Sequence, residues 1–154
     1  MTKIILALGA LLISTSAFAS SNQVTLEDVQ TRLAPYIPQG RSVREMSGLT
    51  TYGGGATCMS SISIKPDEVE FSATWGDSGT SLRLSEEDQI TMEESANQIK
   101  ISILKEGLPS SVTLTFNGQN VEAMHLEETY KSLFFKRHIS LLCSDQVAFI
   151  PKRM

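Results

Sequence analysis

The sequence predicts a mainly β protein, a single antiparallel barrel or sandwich of about eight or nine short strands behind a short N-terminal helix. Three observations carry this. From Thr57 onward, apolar and polar residues alternate with a period of two. Turn-forming residues break the alternation about every eight to twelve positions. The chain's two cysteines, Cys58 and Cys143, fall in the first and the penultimate of the resulting segments. One bridge between them would tie the ends of the β-region together.

The 154 residues divide into three parts. In the first, residues 1–19, Lys3 precedes an apolar run from Ile4 to Ile13, followed by Ala17-Phe18-Ala19. Charge, apolar run and small-residue site stand in the order of a secretory signal peptide, with cleavage expected after Ala19. The run is about half the ~20 residues a spanning helix needs, so the chain from Ser20 is expected to lack a transmembrane anchor. Residues 20–56 are expected to hold a helix and a connector, and 57–154 the β domain. Together, 20–154 has the length of one globular domain with one core.

The helix is placed at about Leu26–Ala34. Thr25 can cap it, Glu27 and Asp28 put negative charge in its first turn, and Leu26, Val29 and Leu33 form one apolar stripe. Pro35 and Pro38 stop it. Residues 35–56 show neither period and read as a long connector. Gly53-Gly54-Gly55 near its end lack the Lys-Ser/Thr that a phosphate loop needs, and read as a pliable joint into the first strand.

The strands follow in order. Thr57–Ile64 places Cys58, Ser60, Ile62 and Ile64 on one face, and Pro66-Asp67 suits a type I turn. Val69, Phe71, Ala73 and Trp75 alternate strictly with polar residues, as in a half-buried antiparallel strand. Gly76–Gly79 turns the chain, and Arg83 lies between Leu82 and Leu84. A weaker strand at 89–93 precedes a strong one carrying Ile99, Ile101 and Ile103. Asn117-Gly118 is the preferred pair for a type I′ hairpin turn. It would place Phe116 opposite Gln119, Leu114 opposite Val121 and Val112 opposite Ala123, with His125 on the apolar side. Over 127–136, Leu126, Tyr130, Leu133 and Phe134 have helical spacing, with acids in front and Lys136-Arg137 behind. A short helix is expected there, with a strand as the alternative. A last hairpin is expected to turn at Ser144-Asp145.

Composition excludes some functions and leaves others. The net charge of −4, one unit more negative once Lys3 is removed, opposes whole-molecule binding to nucleic acid. Export would let Cys58 and Cys143 pair as a disulfide. That would consume the thiols of any zinc site, whose short paired ligand spacings are missing in any case. No cofactor is implied. Glu86, Glu87, Asp88, Glu93 and Glu94 form an acidic cluster without a calcium-loop pattern, and read as solvated.

Gly76-Asp77-Ser78-Gly79 is similar over four residues to the nucleophile motif of chymotrypsin-like serine proteases. Both histidines come after Ser78, whereas that family's base precedes its serine, so a turn is the reading adopted. The remaining candidates are His125, as a base or a partly buried structural residue, and the basic cluster Lys136, Arg137 and His138. With Lys131, Lys152 and Arg153, this cluster makes the C-terminal part basic, suited to an anionic envelope component or an acidic protein.

The functional expectation is a small exported, non-catalytic binding or inhibitor module, periplasmic or secreted, whose partner is an envelope or extracellular protein or an anionic component. The alternative is a barrel holding a small apolar ligand. A third reading is a small serine/histidine hydrolase.

Overall fold

The structure, a computed structural model, describes residues 22–50 and 56–145. The expected cleavage site, the Gly53–Gly55 joint and the strand after Asp145 lie outside these residues. The elements are β1 (Asn22–Val24), α1 (Leu26–Leu33), a 3₁₀ turn at Ala34–Tyr36, β2 (Val43–Thr50), β3 (Thr57–Lys65) and β4 (Glu68–Trp75). Then follow β5 (Ser78–Ser85), β6 (Ile90–Glu94), β7 (Gln98–Lys105), β8 (Leu108–Asn117), β9 (Asn120–Lys131) and β10 (Lys136–Ser144).

These ten strands form one open antiparallel sheet in the order β1-β6-β7-β8-β9-β10-β2-β3-β4-β5. β10 meets β2 through Cys143↔Thr50 and Ser144↔Leu49, whereas β2 and β3 share a ladder from Val43↔Ser63 to Leu49↔Thr57. The sheet curls so that β5 comes against β8 and β9. Thr80 Oγ1 on β5 donates to Glu128 Oε2 on β9 at 2.7 Å.

Period-two alternation fills the space between the two halves. Ile62, Val69, Phe71, Leu84, Ile101, Leu114, Met124 and Leu126 are buried in one apolar cluster, together with Leu26, Val29 and Leu33 of α1. At its N-terminus, α1 has a reciprocal cap. Asp28 N–H donates to Thr25 Oγ1 at 3.1 Å, and Thr25 N–H donates to Asp28 Oδ2 at 2.8 Å. The backbone and hydroxyl bonds from Thr25 hold the Asp28 carboxyl below its ordinary pKa. The helix also ties the halves together. Gln30 Nε2 donates to Lys65 O at 2.7 Å in the β3–β4 turn, and Arg32 makes paired 2.6 Å bonds to Glu94 on β6.

Three expectations are corrected. Residues 35–56 are not a connector throughout, because they contain β2. Its inward row is Arg44, Met46, Gly48 and Thr50, so no apolar alternation marks it. Residues 127–136 are strand, turn and strand rather than helix. The helical spacing there is coincidental: Leu126 points into the core while Leu133 and Phe134 stand in solvent.

The third correction concerns the hairpin at Asn117-Gly118. Its register is shifted, with Asn117 opposite Asn120 and Gly118-Gln119 at the corner. Gly118 has φ +60° and Gln119 is not in the left-handed region. Glycine at the first central position is the choice of a type II′ turn. Phe116 then pairs with Val121 but Thr115 with Ala123, leaving Glu122 as the extra residue of a bulge. The bulge reverses parity, sends Met124 and Leu126 inward, and puts His125 on the outer face.

Gly48 stands beside the β10–β2 pairing. A Cβ there would overlap the Ser144 carbonyl and lie 3.0 Å from Asp145 N, so the backbone after β10 comes this close to β2 because position 48 has no side chain. Gly48→Ala is expected to lower the unfolding free energy by about 1–3 kcal/mol, because rigid backbone must move. An unchanged midpoint in urea would refute this.

Candidate functional site

Cys58 and Cys143 are buried and joined, with their Cα atoms 5.9 Å apart. They link β3 to β10 across β2, which leaves neither thiol free for chemistry and fastens the two strands together. Among the described residues, no group of three or more His, Cys, Asp or Glu side chains is placed to hold a metal. Ser78 is an exposed first residue of β5, opposite Trp75 across the Gly76-Asp77 turn. The acidic cluster is partly committed: Asp88 accepts from Ser85 N–H at 2.7 Å, and Glu94 holds Arg32.

The histidines lie on the outer face of β9 and β10. His125 Nε2 is 2.7 Å from Ser140 Oγ, a diagonal cross-strand contact. Among the described residues, no carboxylate hydrogen-bonds the other ring nitrogen of His125, so a base–orienter pair is not assembled. His138 Nδ1 is 3.2 Å from Thr129 Oγ1, and its Nε2 is 3.9 Å from Glu127 Oε1. Glu127 also accepts from Ser111 Oγ at 3.3 Å. The carboxylate therefore stands between serine and histidine, whereas nucleophile activation needs the histidine in the middle.

Lys136 and Arg137 open β10, beside a feature that sequence reasoning missed. β9 and β8 part company after Ser110↔Glu128, but β9 continues to Lys131 paired with β10 alone. Thr129–Lys131 and Lys136–His138 thus form a two-stranded ribbon paired only with itself, with Pro109 of β8 lining a cleft together with Thr129 and His138. Its turn is closed by Ser132 N–H donating to Phe135 O at 2.8 Å and Phe135 N–H donating to Ser132 O at 3.3 Å. Leu133, Phe134 and Phe135 there are 91%, 85% and 70% exposed.

The other tight turns follow ordinary chemistry. Pro66-Asp67, Gly76-Asp77, Glu106-Gly107 and Gly118-Gln119 use residues that set the backbone or solvate it. Leu133-Phe134 does neither. Behind the tip, Lys131 pairs directly with Lys136, and Arg137 with Tyr130. Like charges directly opposite in a sheet are destabilising. The tip therefore combines two arrangements that local stability disfavours. The sequence signal for it is an apolar triplet bracketed by lysines, read above as one side of a helix.

No family model matches this chain, and no curated protein or solved structure is significantly similar to it. Among the described residues, no helix is long and apolar enough to cross a membrane.

Proposed function

We propose that the protein is an exported, non-catalytic binding module that engages its partner through the β9–β10 hairpin. The carrying observation is the exposed Leu133–Phe135 tip of the β9–β10 hairpin. Large apolar side chains gathered at the surface mark interaction sites more often than scattered single ones do. The basic residues expected to meet an anionic partner, Lys136 and Arg137, lie on the same hairpin. Export is supported by the order of charge, apolar run and Ala17-Phe18-Ala19, and by a disulfide of the kind that persists in oxidising compartments.

The folded sheet, with β5 against β8 and β9 over a shared core, is best read as a sandwich. Phe71, Ile101, Leu114 and Met124 occupy the interior in which a ligand-holding barrel needs space, which argues against the small-ligand alternative. The order Ser111–Glu127–His138 argues against a hydrolase.

Photo-crosslinking tests the reading. A diazirine-bearing residue replacing Phe134 is expected to give adducts in the cells that make the protein. The same residue replacing Asp67, on the exposed β3–β4 turn, is expected to give few. Equal yields at the two positions would sink the assignment of the hairpin.

A further inference from the structure

The layering of the β9–β10 tip identifies the kind of partner. We infer that the hairpin docks on the surface of an anionic lipid bilayer, with Leu133, Phe134 and Phe135 entering the interface and Lys131, Lys136 and Arg137 meeting the headgroup phosphates. This rests on the reading of the hairpin as the binding surface.

Depth along the ribbon is the first argument. Leu133 and Phe134 lie at the extreme end, Phe135 closes the turn beside them, and the Lys131–Lys136 pair is the first rung behind. A bilayer presents hydrocarbon below a layer of phosphates, in the same order. Lysine stems lie along apolar surface while their ammonium groups reach back toward the polar layer. Apolar faces of interfacial elements sink ~5–10 Å. The exposed segment from Lys131 to Arg137 carries the apolar residues at its turn and the cations on the strands behind it, so the turn can enter the interface while the cations stay at phosphate level.

Charge is the second argument. Between Thr129 and His138 there is no acidic residue, although the whole chain carries net charge −4. An anionic surface attracts this end and repels the rest, which orients the molecule tip first. The Lys131–Lys136 repulsion is relieved when phosphates sit between and beneath the two ammonium groups. A protein interface would accept the two phenylalanines and Arg137, but lysine is depleted there, and the tip sets Lys131 and Lys136 side by side.

Vesicle flotation decides the matter. The chain used begins at Ser20, which retains every residue of the described fold and omits the apolar run Ile4–Ile13. It is expected to float with phosphatidylglycerol/phosphatidylcholine vesicles and to stay behind with phosphatidylcholine alone. Replacing Lys131, Lys136 and Arg137 by Gln is expected to weaken binding by about 100-fold at low salt, since each cation near an anionic surface contributes roughly five-fold. Leu133→Ser/Phe134→Ser/Phe135→Ser is expected to weaken it at least ~10-fold.

Circular dichroism should match the parent in both variants and neither should melt lower, because every altered side chain is solvent-facing and the Gln variant removes the Lys131–Lys136 repulsion. Should a variant melt lower, the parent protein's loss of binding on raising the salt tests the collar without any substitution. Absence of binding to anionic vesicles, equal binding to neutral ones, or binding indifferent to both variants would overturn the inference. If Phe134 still crosslinks to a protein while the parent ignores anionic vesicles, the binding module stands and its bilayer partner is refuted.

Discussion

Removing the disulfide with Cys58→Ala/Cys143→Ala is expected to lower the unfolding free energy by up to about 4.5 kcal/mol. The bridge closes a loop with sequence separation 85, and the entropy it removes from the unfolded chain grows with the logarithm of loop length. Cys143 stands opposite Thr50 of β2, and Cys58 stands opposite Gly48 on the other side of β2, so the bridge spans β2 and joins two strands that are not neighbours in the sheet. Guanidinium unfolding of the parent, with and without reductant, and of the double variant measures the effect. A change under 1 kcal/mol would show that the halves hold together by packing alone.

Phe71→Ala is expected to cost about 3–5 kcal/mol. Phe71 is among the largest fully buried side chains, in the inward row of β4, with Ile62 opposite on β3 and Leu82 opposite on β5. Truncation leaves a void between two strands and the facing half of the sheet, and a folded β-layer collapses little to fill it. Urea unfolding measures the loss, and Phe134→Ala is the internal contrast. Phe134 is 85% exposed, and surface changes of this kind usually stay within about 0.5 kcal/mol. Comparable losses for the two variants would contradict the assignment of core and surface.

The fold was legible wherever burial is carried by side chains in strict alternation. β3, β4 and β7 were readable because Ile62, Phe71 and Ile101 each belong to an apolar row facing a polar one. The capped helix was readable because Thr25 and Asp28 leave a local signature. β2 was not, because its inward row includes Arg44, whose Nη1 donates to Tyr36 O at 2.7 Å, and Gly48, which is there for backbone clearance. Neither role leaves an apolar trace. The parity reversal at Glu122 was equally hidden, since a bulge adds one residue without changing composition.

At the candidate site, Lys136 and Arg137 were named from charge alone. Their meaning came from the ribbon, and the ribbon was invisible while 127–136 looked helical. The contact of His125 with Ser140 was out of reach for the same reason, because it depends on β9 and β10 pairing in one register.

The strand order also fixes when the parts of this protein can settle. β1 pairs with β6, as in Asn22↔Met92, and the end of β2 waits for Cys143. Two of the earliest segments to emerge therefore find these neighbours only after most of the chain has followed. Contacts so distant in sequence put the fold among slow topologies, forming in milliseconds to seconds rather than microseconds. During that interval β3, β4 and β5 can assemble by local hairpins, while Cys58 remains an unpaired thiol among them. Any oxidant present must spare it until β10 arrives, so faithful assembly depends on timing as well as on packing.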